Sequence, residues 1–74
     1  MKRWTLLGRP HCHLCEEFEV ALLEALGGQG EVDVVDVDQH PHWRADYGLR
    51  IPVLLTDDGR FCGEGLFQLA MLSV

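Results

Sequence analysis

Residues 8–15 of the chain read GRPHCHLC, with cysteines at positions 12 and 15. The stretch follows a short run of strand-forming residues, Lys2 to Gly8 (KRWTLLG), and precedes a helical pattern. Gly8 and Pro10 end the strand before the first cysteine is reached. A C-x-x-C pair between a strand and a helix is typical of redox sites.

A helix is predicted to begin near Cys12 and to end before Gly27-Gly28, because paired glycines stop helices. Apolar residues in this segment recur at three- and four-residue intervals and therefore share one face: Leu14, Phe18, Ala21, Leu22, Ala25 and Leu26. The glutamates lie mostly on the opposite face. Glu16, Glu17 and Glu19 also suit the positive end of the helix dipole.

Acid and valine alternate over residues 31–38 (EVDVVDVD), which predicts a second strand. Residues 40–47 predict a short helix with Pro41 in its first turn and Gly48 at its end. Residues 49–56 (LRIPVLLT) predict a third strand, interrupted by Pro52.

Asp57-Asp58-Gly59 predicts a tight turn, after which residues 60–62 return antiparallel as a hairpin. Gly63-Glu64-Gly65 predicts a break, and residues 66–73 have the period of a brief closing helix. The element order is βαβ, a connecting helix, then ββα, in one domain spanning residues 1–74. Because a crossover helix joins the first two strands, they are predicted to be parallel in a four-stranded mixed α/β sheet with helices on its faces.

The charge balance excludes some classes of function. Twelve acidic against six basic side chains give a net charge of −6. Nucleic-acid binding needs a basic face, and so does docking on an anionic membrane. No apolar run is long enough for a membrane span or a signal peptide, and three cysteines do not make a secreted disulfide framework. We therefore predict a cytoplasmic protein, and a monomer.

The predicted helix start gives the two cysteines different roles. Unpaired backbone N–H groups and the helix dipole favour the Cys12 thiolate and lower its pKa from about 8.5. Cys12 is the outer thiol and the predicted nucleophile, whereas Cys15, one turn further in, is the predicted resolving thiol. Arg9 would stabilise the thiolate as a nearby cation, and His11 and His13 would tune it, unless these are only solvated loop residues.

Two further residues have alternative interpretations. Proline cannot donate to a strand ladder, so Pro52 predicts either a cis Ile51–Pro52 bond or a trans proline at an edge or first strand position. Cys62, at the end of the last predicted strand, is either a small buried apolar residue or a third redox thiol.

Three segments carry a family resemblance: residues 8–15, residues 50–54 (RIPVL) and Cys62-Gly63 before a final helix. Together they resemble the glutaredoxin branch of the thioredoxin superfamily, and more narrowly its short bacterial glutaredoxin-like proteins. The resemblance implies a thioredoxin-like fold and a cis bond before Pro52 that faces Cys12. It implies that the Ile51 backbone pairs with the peptide part of a substrate. It also implies that Arg9 lies near the glycine carboxylate of glutathione.

The chain departs from the family pattern at three places. His13-Leu14 replaces Pro-Tyr or Pro-Phe between the cysteines, and Arg50-Ile51 replaces Thr-Val before Pro52. Gly63-Glu64-Gly65 stands where the family often has Gly-Gly followed by Thr or Ser and Asp, so that Glu64 is the group left to receive the glutathione ammonium.

The leading functional prediction is a thiol–disulfide oxidoreductase or electron carrier, with glutathione or a protein disulfide as its partner and no bound cofactor. Arg9 and Arg50 would supply local positive charge on an acidic protein.

Two other classes of function stay open. The first is zinc binding by clustered thiol and imidazole ligands: His11, Cys12, His13 and Cys15, with His40, His42 and Cys62. The second ligand pair of a structural zinc site is missing, since His40 and His42 are only two residues apart. An iron–sulfur cluster shared across a dimer, as some glutaredoxins hold, is a rarer form of metal binding. The second class is a non-catalytic thioredoxin-like module that binds a protein, with Leu69, Met71 and Leu72 either exposed for the partner or packed on the sheet.

Overall fold

A computed structural model describes residues 2–74, which form a four-stranded mixed sheet flanked by helices. The sheet order is β2-β1-β3-β4, with β1 parallel to β2 and antiparallel to β3, and β3 antiparallel to β4. The elements are β1 (Lys2–Gly8), α1 (His13–Leu26), β2 (Gly30–Asp36), α2 (Pro41–Tyr47), β3 (Val53–Thr56) and β4 (Phe61–Glu64), with 3₁₀ helices at Val37–Gln39 and Leu69–Ser73. The predicted mixed sheet is confirmed.

The sheet has a separate apolar cluster on each face. The cluster under α1 consists of Trp4, Leu6, Phe18, Leu22, Leu26 and Leu54. The opposite cluster consists of Leu7, Val37, Val53 and Leu55, with Trp43 and Tyr47 of α2 packed against it. Successive strand residues point to opposite faces, so Leu6 and Leu7 of β1 belong to different clusters. The two helices therefore lie on opposite faces.

Helix α1 begins and ends close to the predicted positions. Cys12 is its N-cap residue, and Gly27 ends it in the left-handed conformation (φ 54°), donating its N–H to the Leu23 carbonyl. The β1–β2 register pairs Gly8 with Asp36, so the two parallel strands end at the same edge of the sheet. The start of α1 follows this edge after four loop residues.

The second strand ends two residues earlier than predicted. The Asp36 carboxylate accepts the Asp38 N–H at 3.0 Å and turns the chain into the 3₁₀ helix Val37–Gln39. Val37 is fully buried in the cluster under α2. The alternation of acidic residues and valines thus continues beyond the end of β2. Val37 keeps the pattern because it is buried although it lies in a turn and not in the strand.

The third strand is shorter than predicted and the fourth is longer. Arg50 lies in a turn, where its N–H donates to the Tyr47 carbonyl at 2.8 Å, and β3 starts only at Val53 after a cis Ile51–Pro52 bond. The break predicted at residues 63–65 is wrong at its first two positions, which belong to β4. Gly63 pairs with Leu54, and a Cβ there would lie only 2.5 Å from the Met71 sulfur. This glycine therefore makes room for the closing segment.

The closing segment is a 3₁₀ helix, Leu69–Ser73, and not the helix predicted from Leu66. None of its residues is fully buried, which leaves little packing to hold a longer helix. Met71 and Leu72 pack against the cluster under α1, whereas Leu69 is 69% exposed. No helix within residues 2–74 combines the length and apolar character that a membrane crossing requires.

Two neighbouring leucines of α1 test how the helix packs on the sheet. Leu22 is fully buried and Leu23 is 48% exposed. We expect Leu22→Ala to lower the free energy of unfolding by about 2–5 kcal/mol, because it leaves a cavity, and Leu23→Ala to lower it by less than about 1 kcal/mol. Urea unfolding followed by circular dichroism measures both. Equal losses would contradict the orientation of α1.

Candidate active site

Cys12 and Cys15 form a disulfide in this structure, with their Cα atoms 5.2 Å apart. Cys12 is partly exposed at the N-cap of α1, whereas Cys15 is only 7% exposed. A partner can therefore reach the first sulfur more easily than the second. The two cysteines that the sequence singled out are brought together, with unequal access to solvent.

The start of α1 provides hydrogen bonding for the outer sulfur. The Cys15 N–H donates to the Cys12 Sγ at 3.2 Å, so the sulfur caps one of the free N–H groups of the first turn. The same N–H would favour a negative charge on this sulfur in the reduced protein, as would the helix dipole. His11 precedes it in the left-handed conformation (φ 62°) and turns the chain from Pro10 into the helix.

Gly8 allows β1 and α1 to approach closely at the inner sulfur. A Cβ on Gly8 would lie 3.2 Å from the Cys15 Cβ and 3.3 Å from its Sγ. These distances are shorter than ordinary van der Waals contact, so a larger residue at position 8 would press on Cys15.

Arg9 is held by Asp38 and not left free beside the disulfide. Its Nε and one terminal nitrogen donate to the two Asp38 carboxylate oxygens at 2.8 Å each, and the other terminal nitrogen donates to the Gly48 carbonyl at 3.1 Å. The hydrogen bond from Arg9 lowers the pKa of the Asp38 carboxyl. The Arg44 guanidinium lies 3.5 Å from the same carboxylate. Arg9, the cation predicted near Cys12, is therefore present, but its guanidinium is bound to the Asp38 carboxylate.

Asp38 belongs to this region although it is not among the predicted site residues. The signal was available in the parallel pairing: Gly8 and Asp36 are register partners, so Arg9 and Asp38 both follow the same edge of the sheet. Long polar side chains at the ends of neighbouring parallel strands are placed to meet.

Arg50 is paired in a similar way with Glu64 of β4. It donates to Glu64 through its Nε at 3.1 Å and through a terminal nitrogen at 2.7 Å, and this hydrogen bonding lowers the pKa of the Glu64 carboxyl. Its guanidinium carbon also lies 5.0 Å from the centre of the Tyr47 ring and 5.4 Å from that of Phe61. The two predicted substrate-binding residues, Arg50 and Glu64, therefore bind each other beside the stacked rings of Tyr47 and Phe61, a pair that the sequence pattern does not reveal.

The remaining predicted binding residues lie at the start of β3 and the end of β4. Ile51 is half-buried and Pro52 is buried. The Gly65 N–H donates to the Pro52 carbonyl at 3.0 Å, which ties the segment after β4 to the cis-proline segment. Gly63 is buried within β4.

The other histidines and the third cysteine do not join the disulfide in a ligand group. Across residues 2–74, no three His, Cys, Asp or Glu side chains come together in a way that would hold a metal ion. His13 is 84% exposed and lies 3.9 Å from Glu17. Cys62 packs against the cluster under α1, and burial raises the pKa of its thiol.

Comparison with known proteins agrees with this geometry. The family model described as "Glutaredoxin-like domain (DUF836)" matches residues 3–70. The solution structure of protein Ne2328 from Nitrosomonas europaea superposes with a TM-score of 0.79 at 27% identity, covering 97% of this chain and 87% of that one. The X-ray structure of target protein XcR50 from X. campestris superposes with a TM-score of 0.68 at 32% identity, covering 93% and 88%. No curated protein sequence matches the chain. The thioredoxin-like fold predicted from the sequence is confirmed.

The pairing of Asp38 with Arg9 makes a prediction about stability and pH. The folded state lowers the pKa of this carboxyl, whose unfolded value is about 3.9. The Asp38 carboxylate therefore contributes fully to the free energy of unfolding at a pH above its unfolded pKa. This contribution is lost as the pH falls through the lower pKa of the folded state. We expect Asp38→Asn to be less stable than the wild type at pH 7, and the difference to shrink below about pH 4.

Urea unfolding at pH 7, 5 and 3 measures this difference. Asp46→Asn removes the same charge from an exposed position of α2 and is the control. A stability difference for Asp38→Asn that is the same at all three pH values would contradict the assignment.

Proposed function

The chain belongs to the Glutaredoxin-like domain (DUF836) family, and from this premise we propose that it is a thiol–disulfide oxidoreductase in which Cys12 attacks and Cys15 resolves. The observation that carries the proposal is the disulfide at the start of α1. Its outer sulfur is partly exposed and accepts a backbone N–H, and its inner sulfur is buried. Thiolates at helix N-termini are the reactive species in thiol–disulfide exchange.

The reaction consists of two exchanges. In the dithiol form, the Cys12 thiolate attacks one sulfur of a partner disulfide; an intermolecular S–S bond forms, and the other partner sulfur leaves as a thiolate that takes a proton. Cys15 then loses its proton and attacks the Cys12 sulfur, which forms the intramolecular disulfide and releases the second partner thiolate. Two electrons pass to the partner, and the protein ends in the oxidised form described above.

We propose a protein disulfide as the partner in preference to glutathione. A glutathione molecule bound as the family resemblance implies would place a carboxylate at Arg9 and its ammonium at Glu64. Arg9 already forms a bidentate pair with Asp38, and Glu64 already accepts from Arg50. Glutathione would have to compete with both ion pairs, whereas a protein substrate can gain contact area elsewhere. The Ile51 backbone beside Pro52 is a candidate for pairing with the extended segment of such a substrate.

We also propose that the reaction takes place in the cytoplasm. The C-x-x-C pair and an unpaired third cysteine suit a compartment in which thiols are kept reduced.

Cysteine variants test the proposed roles. We expect Cys12→Ser to lower the rate of insulin disulfide reduction on the order of a thousandfold, because the nucleophile is gone. Cys15→Ser keeps the nucleophile but cannot resolve, so it should accumulate a mixed disulfide between Cys12 and an insulin chain. Non-reducing electrophoresis and mass spectrometry detect this species. Cys62→Ser, which removes the free thiol whose pKa is raised by burial, is the control and should retain the wild-type rate.

Two outcomes would favour the other interpretations. A Cys12→Ser variant that reduces insulin as fast as the wild type would count against the catalytic role and favour a non-catalytic binding module. Incubation of reduced Cys15→Ser with oxidised glutathione tests whether glutathione or a protein disulfide is the preferred partner. A glutathione adduct on Cys12 that forms faster than the insulin adduct at equal disulfide concentration would overturn the preference for a protein disulfide.

A further inference from the structure

An apolar cleft opens between α1 and the edge strand β2. It encloses about 230 Å³, and Leu6, Cys15 and Val34 form part of its lining. At one end it is bounded by residues 8–10, the loop that leads to Cys12. A separate hollow on α1 is lined by Glu17, Phe18 and Ala21 with residues 65–67, the segment tied to Pro52. The cleft beside β2 is therefore a different surface from the one beside the cis-proline segment.

The cleft is open to solvent at Val34, which lies at the edge of the sheet, whereas Leu6 and Cys15 of its lining are only 1% and 7% exposed. Within residues 2–74, strand β2 pairs only with β1, and Val34, the register partner of Leu6, is 55% exposed. An apolar cavity of about 150 Å³ is large enough to take a benzene ring. The cleft therefore has room for one leucine- or methionine-sized side chain.

The rim of the cleft carries three carboxylates, of which Asp36 also accepts the Asp38 N–H. Glu16, Glu19 and Asp36 line it, and within the described part of the chain none of the three forms an ion pair with Lys or Arg. Arg9 is the one basic residue in the lining, and its guanidinium is bound to Asp38, a carboxylate that also lies 3.5 Å from Arg44. Helix α1 itself contains no Lys or Arg. An occupant with basic groups beside an apolar side chain would complement both features of the cleft.

We propose that this cleft docks the protein partner of the disulfide, and that the docking segment carries an apolar side chain flanked by Lys or Arg close to the partner's own cysteine. This inference rests on the proposed function and names the class of partner. From Cys12 to Glu19 the helix advances seven residues, or about 10 Å. An extended chain covers that length in about three residues. The segment can then fill the cleft while its sulfur meets the Cys12 sulfur.

Three peptide disulfides serve as probes, each the symmetric dimer of a short blocked peptide. The first has the sequence Lys-Leu-Lys-Cys-Gly, the second Glu-Leu-Glu-Cys-Gly and the third Lys-Ser-Lys-Cys-Gly. The neutral bis(2-hydroxyethyl) disulfide reports exchange without docking. Each rate with the reduced protein is divided by the rate of the same probe with dithiothreitol, which corrects for the intrinsic reactivity of the probe.

We expect the Lys-Leu-Lys probe to react about five- to tenfold faster than the Glu-Leu-Glu probe at low salt, and the preference to fall at 0.5 M NaCl. Glu19→Lys should reduce this preference about two- to fivefold. Glu24→Lys makes the same change of net charge on α1 outside the cleft and should leave the preference unaltered. Circular dichroism confirms that both variants are folded.

A second pair of variants tests the apolar part of the site. Val34→Thr keeps the shape of the side chain on β2 but adds a hydroxyl, and it should slow the Lys-Leu-Lys probe about two- to threefold while leaving the Lys-Ser-Lys probe unchanged. Val20→Thr, at a position that is 57% exposed and outside the cleft, is the matched control. Equal effects of Val34→Thr and Val20→Thr would overturn the proposed cleft.

The outcomes separate this proposal from the proposed function. If the reduced protein exchanges with none of the probes, including bis(2-hydroxyethyl) disulfide, the oxidoreductase assignment fails. If it exchanges with all of them but shows no preference for the Lys-Leu-Lys probe, the enzyme stands and the docking site falls. Sedimentation that reveals a dimer lost in Val34→Thr would assign the cleft to a second copy of the chain and overturn the proposed partner.

Discussion

The apolar stripe of α1 holds the two sulfurs in their unequal positions. The stripe is buried against the sheet and consists of Phe18, Leu22 and Leu26. Cys15 continues it one turn earlier, three residues before Phe18. Burial of Cys15 is thus a consequence of how the helix docks. Cys12, three residues earlier again, falls at the N-cap, where the chain leaves the sheet and the backbone N–H groups are free. The same packing that stabilises the fold therefore makes one sulfur accessible and the other buried.

The distribution of ion pairs determines which charges remain available to a partner. All five arginines lie within 4 Å of a carboxylate: Arg3 with Glu31 and Asp33, Arg9 and Arg44 with Asp38, Arg50 with Glu64, and Arg60 with Asp58. The net charge of −6 is therefore concentrated in carboxylates that these pairs do not use, several of them on α1. The helix that carries the disulfide is also the acidic surface of the molecule. A partner approaching Cys12 meets a field that favours positive charge.

The predictions that succeeded rest on local patterns, and those that failed needed tertiary information. The β1–loop–α1 unit and the hairpin at residues 57–59 follow from strand formers, helical period and turn residues, each of which acts over a few positions. The break predicted at Gly63 failed because the glycine pairs with Leu54 of β3 and accommodates Met71 of the closing segment, and neither contact is visible in the local sequence pattern. The sequence pattern predicts a strand at Val37, which lies in the 3₁₀ helix Val37–Gln39, because a valine buried from a turn and one buried from a strand look alike in sequence. The ion pairs of Arg9 and Arg50 depend on strand register, which the composition of either segment does not contain.

Ion pairing also explains why the two sides of α1 offer different chemistry. On the side of the cis-proline segment, Arg50 and Glu64 satisfy each other over the Tyr47 and Phe61 rings, and a charged ligand there must break a hydrogen-bonded pair before it gains a contact. On the side of β2, the carboxylates of Glu16 and Glu19 lie beside the exposed Val34 and form no ion pair within residues 2–74. A positive charge brought to this rim gains attraction to these carboxylates without first breaking an ion pair. On the proposed function, the cleft would therefore select between partners, while the cysteines would perform the same exchange with any disulfide that reaches them.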